Sequence, residues 1–314
     1  MRIVSLLPSA TEILCAIGLA DRLVAVSAEC DFPPSVRDKP RITGARVHAA
    51  SPGAQIDSQV RNQLATGRSL YTLDAALLRS LEPDLVITQT LCRVCAVSDD
   101  EVRQMTADFD RPPRVLVLEP RTLGDVIESI RAIGEAAGAT ERGRALAAAL
   151  EMRIERVRAR SSGGGRYPCG SPRPTSPPRR VVVLEWLDPL YSSGHWTPEL
   201  VELAGGSEPL ARPGDRSRRI ELREIVAADP DELVIACCGF DALRTLQDVP
   251  EFLGQPAVAG LRCVREGRVF VFDGNAHFSR PGPRLVEALE LLAHTLNCRA
   301  HPAPSGVMPP IRVT

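Results

Sequence analysis

Two loops in the second half of the chain place a histidine directly before an aromatic residue. His195 precedes Trp196, and His277 precedes Phe278. Aromatic faces hold flat apolar ligands, and a neutral imidazole is a common metal ligand. These residues are therefore predicted ligand contacts. For His195 a hydrogen-bonded structural role is the alternative, and for Trp196 a core position is.

Cys92 and Cys95 form a C-x-x-C motif shortly after a predicted strand at 84–88. A zinc site of this type needs a second pair of ligands at similar spacing, and the sequence offers none. A redox pair at a helix N-terminus and structural or ligand-lining thiols both stay open. The sequence has no G-x-S-x-G, P-loop, G-x-G-x-x-G after a strand, or H-E-x-x-H motif, which indicates a binding protein rather than one of those enzymes.

The elements that position these residues alternate between strand and helix, which predicts an α/β fold. The first half has predicted strands at 2–7, 23–26, 84–88 and 114–118, and predicted helices at about 10–18, 74–81, 99–108 and 122–137. The second half has predicted strands at 181–186, 232–236 and 268–272, and predicted helices at 198–204, about 221–228, about 241–247 and 283–297. Ligands of open α/β sheets bind beyond the carboxyl ends of the strands, so we expect a cleft between two lobes.

The predicted organisation is two Rossmann-like lobes with parallel sheets joined by one long helix. The predicted boundaries are an N-terminal lobe at 1–138, a connecting helix at 139–160, a disordered Gly/Pro/Ser-rich insertion at 161–179, a C-terminal lobe at 180–298 and a loose tail at 299–314. Within the lobes, Ser9 and Glu12 fit a capping box, and Thr197 fits an N-cap followed by Pro198.

Composition excludes several classes of partner. The 38 Lys and Arg residues balance 39 Asp and Glu residues, which argues against nucleic acid and anionic membranes as partners. No run approaches the roughly 20 apolar residues of a membrane helix. Nine scattered cysteines suit free thiols in a reducing compartment, and residues 2–7 read as a strand rather than a signal-peptide core. We therefore expect a cytoplasmic protein without membrane insertion, and a periplasmic location is the alternative.

Five segments together resemble a known family: RIVSLLPSATEIL (2–14), DRLVAVSAECDFP (21–33), LEPDLVITQTLCRVCAVS (81–98), GHWTPELVELAGG (194–206) and DGNAHFSRPGPRLVE (273–287). The chain resembles the helical-backbone, or class III, periplasmic-type substrate-binding proteins, and within them the vitamin B12-binding branch, in a subset without a secretion signal. The resemblance implies a corrinoid such as cobalamin clamped between the two lobes, with little hinge motion.

This resemblance implies a non-catalytic carrier or scavenger of a corrinoid. The implied contacts to the macrocycle come from Pro8, Trp196 and Phe278, and the implied axial cobalt donor is His195 or His277. Further predicted ligand-binding residues are Ser9, Cys92, Cys95 and Arg280. A haem or iron-siderophore binder is one alternative and would need basic residues converging on the cleft. A corrinoid-metabolising enzyme that uses Cys92 or Cys95 is the other.

The chain differs from importer-linked relatives at two surface positions. Those relatives carry a glutamate on each lobe that pairs with arginines of the membrane transporter, and the corresponding residues here are Ala76 and Arg223. Asp74, Glu221 and Glu224 are nearby in sequence. The departures argue against docking to the membrane subunits of an ABC importer.

Overall fold

The computed structural model describes residues 1–47, 51–65, 70–89, 99–162 and 177–313. The chain divides into two compact units: Met1–Pro120 with Gly124–Ala149, and Arg121–Leu123 with Leu150–Thr314. Each unit alternates strands and helices, which confirms the predicted two-lobed α/β class.

The N-terminal unit is built on a parallel four-stranded sheet. Its strands and those of a small hairpin are β1 (Ile3–Ser5), β2 (Leu23–Val26), β3 (Thr43–Ala45), β4 (Tyr71–Leu73), β5 (Leu85–Gln89) and β6 (Arg114–Leu118). Its helices are α1 (Pro8–Ala16), α2 (Gly53–Ala65), α3 (Ala75–Ser80), α4 (Asp99–Thr106), α5 (Leu123–Ala136) and the first part of α6 (Thr140–Ser161). The sheet order is β2-β1-β5-β6, with β3 and β4 paired separately.

Strand β1 lies inside this sheet. It pairs in parallel with both β2 and β5, and all three of its residues are buried. Apolar β-branched residues such as Ile3 and Val4 suit a strand that is covered on both faces. Of the strand predicted at 2–7, residues 3–5 therefore form a strand inside the sheet.

Helix α6 is the longest helix among the described residues, with 22 residues. At 1.5 Å per residue it spans about 33 Å. Near its start it crosses α5 closely: a Cβ added at Gly143 would lie 3.0 Å from the Cα of Gly134. The two glycines permit this close approach because neither carries a side chain.

The C-terminal unit has a mixed sheet. Its strands are β7 (Arg179–Leu187), β8 (Leu190–Ser192), β9 (Gly206–Ser207), β10 (Glu232–Ile235), β11 (Val269–Val271) and β12 (Ile311–Val313). Its helices are the rest of α6, α7 (Thr197–Leu203), α8 (Leu222–Ala228), α9 (Ala242–Leu253), α10 (Pro256–Ala259), α11 (Arg262–Arg265), α12 (Gly274–His277) and α13 (Leu285–Leu296). The order is β12-β11-β10-β7-β8, with β9 paired to β7.

The three central strands of this sheet, β11, β10 and β7, are parallel, whereas β8 and β12 join them in antiparallel orientation. The prediction of a wholly parallel sheet is thus wrong at both edges. The C-terminal residues 299–314, predicted as a loose tail, contain β12, which forms a ladder from Ile311 to Val313 with β11. Of the predicted insertion, residues 163–176 lie outside the described residues, while Ser161 ends α6 and Arg179 begins β7.

Two helix starts differ from the predicted caps. Helix α1 begins at Pro8 with Leu7 as N-cap and no side-chain cap, so Ser9 lies inside the first turn and forms no capping box. Proline suits this start because the first turn leaves its backbone donors unpaired in any case. Helix α7 begins at Thr197, and its N-cap is Trp196.

None of the helices in the described ranges combines the length and the apolarity that a membrane span requires.

Candidate functional site

The carboxyl ends of β7, β10 and β11 gather the loops of the C-terminal unit that carry predicted ligand contacts. These loop regions are residues 188–196, which include the short strand β8, residues 236–241, and residues 272–284, which include the short helix α12. In parallel α/β sheets this edge is where ligands bind. A ligand at this edge would therefore meet the side chains of these loop regions that remain accessible.

Trp196 is a core residue and does not present an open aromatic face. Its side chain is 6% exposed, and its indole N–H donates a 2.9 Å hydrogen bond to the carbonyl oxygen of Phe278. Phe278 is also buried and packs edge-on against Phe272, with ring centroids 5.4 Å apart. Neither residue keeps an open aromatic face for the macrocycle contacts predicted from the sequence, because Trp196 and Phe278 join their two segments to each other.

His277 and Arg280 are similarly enclosed, at 7% and 5% exposure. The Arg280 guanidinium donates to the side-chain oxygen of Asn275 at 2.9 Å, within the same loop. The Nε2 atom of His277 lies 3.6 Å from a carboxylate oxygen of Glu287, and its buried Nδ1 atom has no hydrogen-bond partner among the described residues. Neither side chain offers a ligand an open contact surface.

Trp186 is a half-buried aromatic residue at this edge. It lies at the end of β7, where its ring packs against Phe240 with centroids 4.9 Å apart and planes inclined by 40°. The guanidinium of Arg244 lies 4.2 Å from the centroid of the Phe240 ring, and the thiol of Cys238 is exposed. Such an aromatic and cationic surface suits a flat, partly polar ligand. The sequence-based prediction did not include Trp186 among the ligand contacts, although a residue at the carboxyl end of a parallel strand is a candidate for such a contact.

His195 is a half-buried histidine at the carboxyl edge of the C-terminal sheet. Its backbone is left-handed, with φ of 52°. Burial lowers the pKa of His195, and the positive charges of Arg216 and Arg121 lower it further. The imidazole is therefore neutral near pH 7, and neutral imidazole is the form that coordinates metals.

Two glutamates hold the loop that carries His195, and of these Glu185 is half-buried and Glu208 is buried. Glu185 accepts a hydrogen bond from the backbone N–H of Gly194 at 3.0 Å. Glu208 accepts hydrogen bonds from the N–H of Val183 at 2.8 Å, the Ser193 hydroxyl at 3.1 Å and the N–H of Leu210 at 3.0 Å. Burial outweighs these donors and raises the pKa of each carboxyl to about 7. Both groups therefore titrate near neutrality.

The raised pKa of Glu185 predicts a pH-dependent stability. In the unfolded chain a glutamate loses its proton near pH 4.5, whereas the folded protein keeps the Glu185 proton up to about pH 7. Stability therefore falls as pH rises from 4.5 to 7, by at most about 3 kcal/mol for this carboxyl. Because Glu185 keeps a partly exposed edge, we expect about 1–2 kcal/mol.

Glu185→Gln keeps the acceptor and removes the titration. We expect its free energy of unfolding, relative to the unsubstituted protein, to be higher at pH 8 than at pH 5 by about 1–2 kcal/mol. Urea denaturation at the two pH values measures this difference. Exposed Glu202→Gln makes the same chemical change on the surface of α7 and serves as the control. A difference that does not change with pH would show that Glu185 is ionised throughout.

In the N-terminal unit, the predicted contacts Pro8 and Ser9 follow the carboxyl end of β1. Pro8 is half-buried, whereas Ser9 is 3% exposed. Behind them, Thr11 donates a 2.9 Å hydrogen bond to the Ser5 hydroxyl, which itself donates to the carbonyl oxygen of Leu7. This buried network fixes the turn into α1, so only Pro8 of the predicted pair keeps a partly exposed surface.

Cys92 and Cys95 lie outside the described residues. None of the six cysteines that the structure describes forms a disulfide. Across the described ranges no cluster of three or more His, Cys, Asp or Glu side chains could hold a metal ion.

Comparison with known proteins identifies relatives over nearly the whole chain. A family model described as periplasmic binding protein matches residues 3–276. The vitamin B12-binding protein of Vibrio cholerae serotype O1 is 21% identical over 291 residues, which cover 92% of this chain and 86% of that protein. An uncharacterised ABC-transporter substrate-binding lipoprotein of Bacillus subtilis is 23% identical over 301 residues, which cover 94% of this chain and 79% of that protein.

Solved structures share the fold. A periplasmic heme-binding protein from Pseudomonas aeruginosa superposes with a TM-score of 0.72 at 19% identity and covers 100% of this chain and 99% of its own. The periplasmic vitamin B12-binding protein of Vibrio cholerae gives a TM-score of 0.66 at 20% identity, with coverage of 95% and 96%. The same two-lobed fold therefore serves proteins named for two different metal macrocycles.

Proposed function

The chain belongs to the periplasmic binding protein family, and from this premise we propose that it binds a corrinoid of the cobalamin type without changing it chemically. Proteins of this family bind small molecules and deliver them to the permeases of ABC importers, and they are not enzymes. Membership of this family confirms the prediction of a binding protein. It argues against the alternative of a corrinoid-metabolising enzyme that uses Cys92 or Cys95.

The observation that carries the proposal is the aromatic surface at the carboxyl edge of the C-terminal sheet. Trp186, supported from behind by Phe240, is a half-buried indole where this fold class binds ligands. A corrin is a large flat macrocycle, so an indole face can bury much of its apolar surface. The corrinoid itself is suggested by the vitamin B12-binding relative, whose similarity extends over 92% of this chain.

Of the two histidines predicted as axial cobalt donors, we assign the role to His195. It is half-buried, and its lowered pKa keeps the imidazole neutral near pH 7. His277 is enclosed and lies beside Glu287. An axial donor would shift the visible absorption bands of bound hydroxocobalamin, so the assignment has a spectroscopic signature.

Haem is the second candidate ligand. The positive charges of Arg216 and Arg121 beside His195 are the basic residues that a carboxylate-bearing macrocycle requires. The structural similarity to a heme-binding protein is compatible with this alternative. The fold alone does not choose between the two macrocycles.

Titration of the purified protein with cyanocobalamin and with haemin tests the proposal. We expect cyanocobalamin to bind with a dissociation constant below about 100 μM, that is, tighter than about −5.5 kcal/mol. Equilibrium dialysis with visible absorption measures both ligands in the same way. Binding of haemin without binding of cyanocobalamin would show that the fold is assigned correctly and the ligand wrongly.

Location and transporter docking remain proposals. The cytoplasmic location expected from the sequence disagrees with relatives described as periplasmic proteins or as a lipoprotein. At the surface that corresponds to importer docking, Glu221 and Glu224 form a capping box at the start of α8, and Arg218 pairs with Glu224. Arg223 in turn pairs with Glu221. Because these carboxylates already pair within the protein, we propose that docking to an importer is weak or absent.

A further inference from the structure

Two segments of the C-terminal unit converge on the loop that carries His195. The first is the loop around Gly214: its backbone N–H donates to the carbonyl oxygen of His195 at 2.8 Å, and the N–H of His195 donates to the carbonyl oxygen of Asp215. This pair of hydrogen bonds fixes the histidine backbone against residues 214–215. The next residue of that loop is Arg216.

Close packing of Gly194 places Arg216 beside the histidine. A Cβ added at Gly194 would lie 2.8 Å from the carbonyl carbon of Arg216 and 2.1 Å from the backbone nitrogen of Ser217. Only glycine fits here, so the backbones of the two loops touch directly. The Arg216 residue is exposed to solvent.

The second segment, Arg121–Leu123, joins the C-terminal unit although the chain on either side of it belongs to the N-terminal unit. The N–H of Leu123 donates a 2.8 Å hydrogen bond to the carboxylate of Glu199 in the first turn of α7. The side chain of Thr122 lies 3.7 Å from the position that a Cβ on Gly214 would take. These contacts hold Arg121, which is exposed, near the loop that carries His195.

The electrostatic consequence is visible in the histidine. The pKa of His195 is lowered first by burial, then by Arg216 and Arg121, so both guanidinium charges act on the imidazole. A ligand that reaches the imidazole therefore meets the positive charges of Arg216 and Arg121.

We infer that Arg121 and Arg216 recognise an anionic group on the ligand, a phosphodiester or a carboxylate, that lies beside His195. This inference rests on the proposed function, because it adds a charge requirement to the macrocycle-binding site. Guanidinium groups suit both anions, since their planar array of donors matches two oxygens at once. In cobalamin the anion is the phosphodiester of the nucleotide loop, and in haem it is the pair of propionate carboxylates.

Paired ligands that differ in the anion test the inference. Cyanocobalamin is compared with dicyanocobinamide, which lacks the nucleotide loop and its phosphodiester, and haemin is compared with its dimethyl ester. We expect the unsubstituted protein to bind the anionic member of the recognised pair at least about tenfold more tightly. Arg216→Gln should weaken binding of that member about tenfold and leave binding of the other unchanged within about twofold. The pair that shows this pattern identifies the source of the anion.

Arg223→Gln, on exposed α8, removes the same charge elsewhere and should leave both affinities unchanged. Equal affinities within each pair, or an equal loss for both members in Arg216→Gln, would overturn the inference and leave the proposed function intact. If no member of either pair binds, the proposed function fails and the anion site falls with it. Thermal unfolding of each variant identifies losses that come from misfolding.

Discussion

Trp196→Ala should lower the free energy of unfolding by about 3–5 kcal/mol, the usual cost of removing a large buried aromatic side chain. The indole is enclosed, and its N–H is bonded to the carbonyl oxygen of Phe278, 82 residues away in sequence. The substitution leaves a cavity and an unpaired buried carbonyl oxygen, and both effects destabilise the fold. Urea denaturation followed by circular dichroism measures the loss.

Trp196→Phe separates the two contributions. It restores most of the apolar volume but cannot donate the hydrogen bond, so we expect an intermediate loss of about 1–3 kcal/mol. Trp186→Ala is the matched control, because it removes the same side chain from a half-buried position and should destabilise less than Trp196→Ala. Unchanged stability in Trp196→Ala together with lost ligand binding would restore Trp196 as an exposed contact.

The sequence predicts elements well where its local pattern determines the structure. The strands at 23–26 and 114–118 match β2 and β6 residue for residue, and the helix predicted over 139–160 is α6. Short apolar runs favour strands and an Ala/Leu/Glu/Arg-rich segment favours a helix, whatever the rest of the chain does. The hairpin of β3 and β4 was missed because each strand has three residues, fewer than the roughly 4–8 residues over which an alternating pattern can be recognised.

The candidate site depends on contacts between residues that are distant in sequence. A tryptophan in a loop next to a helix is equally compatible with a ligand platform and with a core position. In this protein the carbonyl oxygen of Phe278 decides for the core in the case of Trp196. Likewise, Arg121 lies 74 residues from His195 in sequence, and only the packing of Thr122 and Leu123 brings its segment to this site. Neither relation can be read from spacing.

Trp186→Ala should weaken binding of cyanocobalamin by about tenfold to a hundredfold. An aromatic face that becomes fully buried against a macrocycle contributes about 1.5–3 kcal/mol, which corresponds to that range of affinity. Trp186 lies at the end of β7, with Phe240 behind its ring and part of the indole still exposed. Equilibrium dialysis with visible absorption gives the dissociation constants without relying on tryptophan fluorescence.

Two further variants give this prediction its controls. Trp186→Phe keeps an aromatic face of smaller area and should recover much of the affinity, ending within about tenfold of the unsubstituted protein. Met152→Ala removes an exposed apolar side chain from α6 and should leave binding unchanged. If Trp186→Ala binds cyanocobalamin as tightly as the unsubstituted protein, the aromatic surface is not the ligand contact. The substitution removes the indole, and the unaltered Phe240 behind it could not fully replace a lost contact.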